Sequence, residues 1–412
     1  MAAKIARQAN KIALLGAPTS AAAMSPGHEK APAALRAAGL AERLRAVGYE
    51  VSDLGDDPPQ VCKPDEESPR ARNIPAILKS IEALKPRMEA AVKSAALPVI
   101  LSGDCSVALA TVAGARRYFR HISMIYMDGD ADLNTPATTP SGCVDGMVVS
   151  HLTGRGAAEL VRFWGEPPLV REPDLALFGV ARLDQPEEDV LRRSPLRRYL
   201  AEDVRRKGAA AAAEEAIARI HGKGNEFILH LDVDVIAGFQ ATNYPGTGGL
   251  TLAEVREALE VFAKQKHLAA IEVTAYNPEK DPDGSGAKAI VDLLVDVLAV
   301  RLETLQSAAS AGTNEPGAAT GTAAAAPAPS TTIGSTIPEV SKQETAAPET
   351  ARAAVATGEA WSSESVEEAA EPEAPDSKPD EKISGPVENT SNSESQQSNA
   401  TGEPARSDSS QS

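Results

Sequence analysis

Short apolar stretches at 11–15, 49–54, 97–102, 122–128, 174–180, 226–233 and 269–275 alternate with longer segments of helical spacing. The helical segments include 32–47, 71–95, 105–118, 210–221, 251–265 and 286–306. Strands that are apolar nearly throughout must be covered on both faces. An alternating strand–helix order achieves that with a parallel sheet between two layers of helices. The expected fold class is therefore α/β, a three-layer α/β/α arrangement around a mostly parallel sheet. In such sheets ligands bind at the carboxyl ends of the strands, where the loops leave.

The pattern stops near Ala308, and so does ordinary composition. Residues 1–308 are expected to form one domain, long enough to bury a large core. From 309 to 412 Ala, Pro, Ser, Thr, Glu and Gly dominate, and Trp361 is the lone aromatic residue. A segment of that kind cannot bury enough apolar surface to offset the entropy of ordering its backbone, so 309–412 reads as a disordered acidic tail. It carries 17 acidic and 5 basic residues, a surplus of 12 negative charges out of the net 17. Two roles suit it, an entropic bristle or a segment that recruits a partner protein.

What remains has no basic stripe to track a phosphate backbone, so nucleic acid is not an expected partner. No window reaches the length of a membrane span, and Met1 to Lys11 lacks the apolar core of a signal peptide. A cytoplasmic location is expected. Cys62, Cys105 and Cys143 are too few and too scattered for a disulfide framework.

The polar residues at the predicted strand ends are mostly aspartates. Asp128-Gly129-Asp130-Ala131-Asp132 follows one strand and Asp232-Val233-Asp234 another. Residues two apart in an extended segment face the same way, so each set points to one place. Five carboxylates gathered in a cleft raise one another's pKa unless cations balance them. Two divalent ions supply that balance, and hard oxygen ligands suit Mn²⁺ or Mg²⁺. A lone Asp-x-Asp is commonly a turn or a helix cap; two of them, both after buried strands, point to a metal site. Asp104 reads as a cap and is kept outside that site.

Taken together, these segments resemble the arginase, agmatinase and formimidoylglutamase family. The likeness rests on Ser102-Gly103-Asp104-Cys105-Ser106, Asp128-Gly129-Asp130-Ala131-Asp132, Leu231-Asp232-Val233-Asp234 and Ala275-Tyr276-Asn277-Pro278, in that order, together with Leu15-Gly16-Ala17-Pro18 and Gly248-Gly249-Leu250-Thr251. It covers residues 10–306 and implies an eight-stranded sheet, a homo-oligomer and a small-molecule substrate. It also implies hydrolysis of a linear C–N bond at two Mn²⁺ ions. By position, Asp128 and Asp232 match bridging ligands, while Asp132 and Asp234 match one ligand for each metal. Cys105 and Asp130 stand where the family has histidine ligands. Asp145 stands in place of a proton-shuttling histidine, which makes it the expected catalytic residue. Asn134 and Ser141 match positions that grip the substrate, and Cys143 replaces a third.

The departures carry consequences. Asp130 keeps a ligand and favours hard cations, whereas a Cys105 thiolate pulls towards Zn²⁺ or Fe²⁺. Ala275 replaces a glutamate that pairs with the guanidinium of arginine, which argues against arginine as substrate. Two readings follow: a metal-dependent hydrolase of an amidine, guanidino compound or amide, or an inactive relative kept as a binding or scaffolding module. None of the six histidines lies in a metal motif. His230 falls on the same strand face as Asp232 and reads as a supporting partner of the ligands; His151 reads as a polar helix residue near the site.

Overall fold

The computed structural model describes residues 7–220 and 226–312. Among them, eight strands form one sheet: β1 (Lys11–Ala17), β2 (Glu50–Asp56), β3 (Leu97–Ser102), β4 (Ile122–Met127), β5 (Leu175–Val180), β6 (Arg197–Leu200), β7 (Glu226–Asp232) and β8 (Leu268–Thr274). Their spatial order is β2-β1-β3-β8-β7-β4-β5-β6, and every neighbouring pair is parallel. The expected α/β class and parallel sheet are thus observed. β6 has no counterpart among the apolar runs, because this edge strand is four residues long and two of them are arginines.

Eleven helices among the described residues pack against the sheet: α1 (Ala31–Ala37), α2 (Leu40–Ala46), α3 (Ile74–Lys93), α4 (Val107–Arg116), α5 (Val148–Leu152), α6 (Ala158–Arg162), α7 (Gln185–Arg193), α8 (Ala201–Lys207), α9 (Ala209–Ile220), α10 (Leu252–Ala263) and α11 (Ser285–Gly312). α1, α2 and α8 to α11 enclose one apolar core, and α3 to α7 the other. The single helix expected at 32–47 is two, broken where Gly39 takes φ +84°. That left-handed turn is accessible to glycine at little cost.

α10 starts with a capping box in which Thr251 accepts from the Glu254 N–H and the Glu254 carboxylate accepts from the Thr251 N–H. α11 continues to Gly312, past the boundary expected at 308. The rest of the expected tail lies outside the described residues. Among those described, no helix is long and apolar enough to cross a membrane.

The chain order matters for function. β3 and β4 follow one another in sequence but lie apart in the sheet, with β8 and β7 between them. A crevice opens at such a switch, beyond the carboxyl ends of the strands. The loops after β3, β4 and β7 enter it.

Candidate metal centre

Three adjacent strands build the floor of the crevice. The register sets Tyr126 of β4 beside His230 of β7, and His230 beside Glu272 of β8. The Tyr126 and His230 rings stack with centroids 4.2 Å apart and planes 3° from parallel. Nδ1 of His230 lies 2.7 Å from a Glu272 oxygen, and its Nε2 lies 3.3 Å from the Thr274 hydroxyl. Two residues further along each strand the same face presents Asp128, Asp232 and Thr274, all buried.

The fourth side comes from the loop after β3. Gly103 donates its N–H to the Ala17 carbonyl and accepts from the Ala275 N–H at 2.6 Å. A Cβ on Gly103 would stand 1.8 Å from the Thr19 carbonyl oxygen, so glycine is required by contact. Asp104 accepts from the Thr19 hydroxyl and from the Ala22 and Ser106 N–H groups, which knits the loop and leaves it outside the centre. Cys105 then projects inward. Its Sγ is 2.9 Å from Asp232 Oδ2 and 3.2 Å from the Thr274 hydroxyl, while its N–H donates to Asp145 at 2.9 Å.

Donor atoms of Cys105, Asp128, His230 and Asp232 lie within 4.8 Å of one another, and so do those of Asp128, Asp130 and Asp234. Asp128 belongs to both groups. Of the ligands expected from sequence, Asp132 lies in neither. Its backbone is left-handed at φ +52°, and its carboxylate accepts a hydrogen bond from the Tyr126 hydroxyl. His230, read from sequence as a supporting residue, comes within reach of a shared cation. His151 is spoken for: its ring nitrogens meet the Met147 carbonyl at 2.7 Å and the Ala157 N–H at 3.1 Å.

A cavity of about 170 Å³ lies over these groups, lined also by Asp132, Ser141, Cys143, Asp145, Met24 and Tyr244. A second cavity shares Asp130, Asp132 and Gly146 with it and is lined further by Asn134, Arg182, Asp184 and Glu187. Asn134 donates to Asp184 at 2.8 Å and accepts from Thr138 at 2.8 Å. Asp184 and Glu187 form the capping box of α7, and Glu187 also accepts from the Leu133 N–H.

Arg182, just beyond β5, is the member of the site that sequence reading passes over. Its Nε and Nη2 each lie 2.8 Å from an oxygen of Asp130, and Nη2 lies 2.7 Å from Asp234. No motif marks it; its position just past a strand end is the one available signal. The donor set therefore fits a cation differently on its two sides. Among the described residues, Cys105, Asp128, His230 and Asp232 hydrogen-bond to no lysine or arginine side chain, whereas Asp130 and Asp234 already hold a guanidinium.

Burial pushes the carboxyls of Asp128, Asp132 and Asp232 well above the usual range, and repulsion from neighbouring carboxylates adds to it. The Cys105 thiol is raised by burial and then by Asp232. Asp145 is pushed up to about 7 by burial and the charge of Asp104, against hydrogen bonds from the Cys105 N–H and Tyr244. Burial likewise lifts Glu187 to about 7. Both groups therefore keep a proton in the fold that the unfolded chain gives up near its ordinary pKa of 3.8 or 4.5. Their contribution to stability is complete below that range and is lost as pH rises through about 7. A tenfold change in proton affinity corresponds to roughly 1.4 kcal/mol per group. Chelator-treated protein is accordingly expected to melt at a lower temperature at pH 8 than at pH 5. A melting temperature that is flat or rises across that interval would contradict this electrostatic reading.

The profile described as Arginase family matches residues 10–299. The arginase of Bacillus caldovelox is 30% identical over 298 residues, covering 71% of this chain and 99% of that protein. The arginase of Brevibacillus brevis is 28% identical over 293 residues, covering 71% and 98%. The native structure of the Bacillus caldovelox arginase superposes with a TM-score of 0.66 at 29% identity, covering 70% of this chain and 98% of that one. The formimidoylglutamase of Bacillus subtilis shares the fold, with a TM-score of 0.57 at 22% identity over 72% and 87% of the two chains.

Proposed function

The chain belongs to the arginase family, and on that premise we propose that it is a metal-dependent hydrolase of a linear C–N bond in a small amidine, guanidino or amide compound other than arginine. The observation that carries this reading is the buried group formed by Cys105, Asp128, His230 and Asp232, which opens into a cavity of substrate-fragment size. Those residues would hold the cation, Mn²⁺ by family likeness, with Zn²⁺ favoured if Cys105 binds as thiolate. A divalent cation there would supply the positive charge that makes water acidic enough to attack at neutral pH.

The protein's own groups do the rest. Asp145 lines the same cavity, with one carboxylate oxygen held by the Cys105 N–H. We assign it the proton transfer to the leaving nitrogen. We assign substrate positioning to Ser141, which lines this cavity, and to Asn134, which lines the adjoining one. Arginine is disfavoured because Ala275 is buried and offers no carboxylate to a guanidinium. Glu272, the nearest acidic residue on β8, is turned to His230 instead. A homo-oligomer and a cytoplasmic location accompany this reading by family likeness.

The test is a panel of amidines, guanidino compounds and amides, assayed for release of ammonia, amine or urea with Mn²⁺ or Zn²⁺ supplied. Turnover of at least one member is expected, with arginine poorer by roughly 10²-fold or more. Metal-loaded protein that turns over none would overturn the hydrolase. A non-catalytic binding role, which the engagement of Asp130 and Asp234 by Arg182 favours, would then stand.

A further inference from the structure

We propose that Arg182 is a built-in replacement for one of two cations, so that the centre takes up a single divalent ion per chain. This rests on the metal-site reading above and narrows it. The group formed by Asp128, Asp130 and Asp234 has the compactness of a cation site, but two of its three carboxylates already converge on one guanidinium. The grip on Asp130 is bidentate, with Nε and Nη2 each 2.8 Å from a separate oxygen, and Nη2 spans to Asp234 at 2.7 Å. Nη1 is anchored by the Tyr244 carbonyl at 3.1 Å. The planar fork of arginine matches carboxylates in this way, which a point charge does not.

The backbone is shaped to receive it. The N–H groups of Ala181 and Arg182 both donate to the Gly129 carbonyl, at 2.9 and 3.0 Å, which locks the loop after β5 to the Asp-rich loop. A Cβ on Gly246 would stand 2.2 Å from Nη1, and one on Gly129 would stand 2.9 Å from Nη2. Side chains at either position would compete with the guanidinium for its place. The departure at Asp130, a carboxylate where the family likeness expects a neutral imidazole, adds one negative charge next to the one positive charge that Arg182 brings. A divalent ion between Asp130 and Asp234 would need to expel the arginine or sit beside a like charge. Cys105, Asp128, His230 and Asp232 face no such obstacle among the described residues.

The test is the stoichiometry of Mn²⁺ on the chelator-treated full chain, by equilibrium dialysis, with the paramagnetic resonance spectrum of the bound ion as an independent readout. The parent is expected to retain one equivalent and to show the spectrum of an isolated Mn²⁺. Arg182→Met, which keeps the bulk and removes the charge, is expected to gain a second equivalent and the broadened signal of a coupled pair. Arg182→Lys is expected to stay at one. Two equivalents in the parent, or one in Arg182→Met with an unaltered melting curve, would overturn the replacement role while leaving the hydrolase reading intact. No Mn²⁺ on the parent or on Arg182→Met would overturn this proposal together with the metal-site reading. Should Arg182→Met fail to fold, the parent's stoichiometry and spectrum decide by themselves.

Discussion

Asp128→Asn is expected to weaken divalent-cation binding by at least about 10²-fold, since loss of a partner that merely supports a ligand already costs 10–100-fold. Asp128 is the residue common to both donor groups, so no arrangement of one or two ions escapes its loss. The same substitution is expected to stabilise the metal-free protein at pH 8. Asp128 is buried beside Asp132, Asp232 and Asp234, each of which opposes its ionisation. Asparagine keeps an oxygen to accept the Asp130 N–H, which Asp128 now binds at 2.7 Å, and removes the charge. The gain is about 1 kcal/mol or more, what a tenfold easing of that repulsion on proton binding would supply. Calorimetric titration with Mn²⁺ and urea unfolding with chelator read the two effects. Unchanged affinity, or a metal-free variant less stable than the parent, would contradict the role given to Asp128.

The second large effect is structural. His230→Leu is expected to cost about 1–3 kcal/mol in urea unfolding of the metal-free protein, because it leaves a buried Glu272 oxygen without its hydrogen-bond partner. Glu272 is fully buried, and among the described residues His230 is the one partner of its Oε2 while its Oε1 meets no donor. The leucine would also forfeit the ring stack with Tyr126. The double variant His230→Leu, Glu272→Leu is expected to recover much of the loss, because removing both partners leaves neither of them buried and unpaired. A single variant within about 0.5 kcal/mol of the parent would contradict the stabilising role given to the pair.

Periodicity carries part of this centre and strand register the rest. β3, β4 and β7 are legible in the sequence because each is apolar throughout, and the aspartates behind β4 and β7 stand out as the polar residues at their ends. Period-two reasoning also puts His230 on the face of Asp232. Its approach to Cys105 and Asp128 depends on which strands neighbour β7, and that depends on β8 inserting between β3 and β7. Arg182 is illegible for a related reason. In Ala-Arg-Leu-Asp it looks like any solvated arginine, and it becomes part of the centre because β5 lies beside β4 and brings the loop after it against Asp130. Edge strand β6 escapes sequence reading because its four residues, two of them arginines, form no apolar run. Asp132 lines the same cavity as the other aspartates, and its hydrogen bond from the Tyr126 hydroxyl is a contact that spacing does not reveal.

The most direct test of the centre is the metal content of full-length protein purified without added metal and again after loading with Mn²⁺, set beside Asp128→Asn treated alike. About one equivalent per chain in the parent, absent from the variant, is the expected result. A parent that holds no Zn²⁺ as purified and no Mn²⁺ after loading would contradict the assignment of Cys105, Asp128, His230 and Asp232 as a cation site, and with it the proposed hydrolysis.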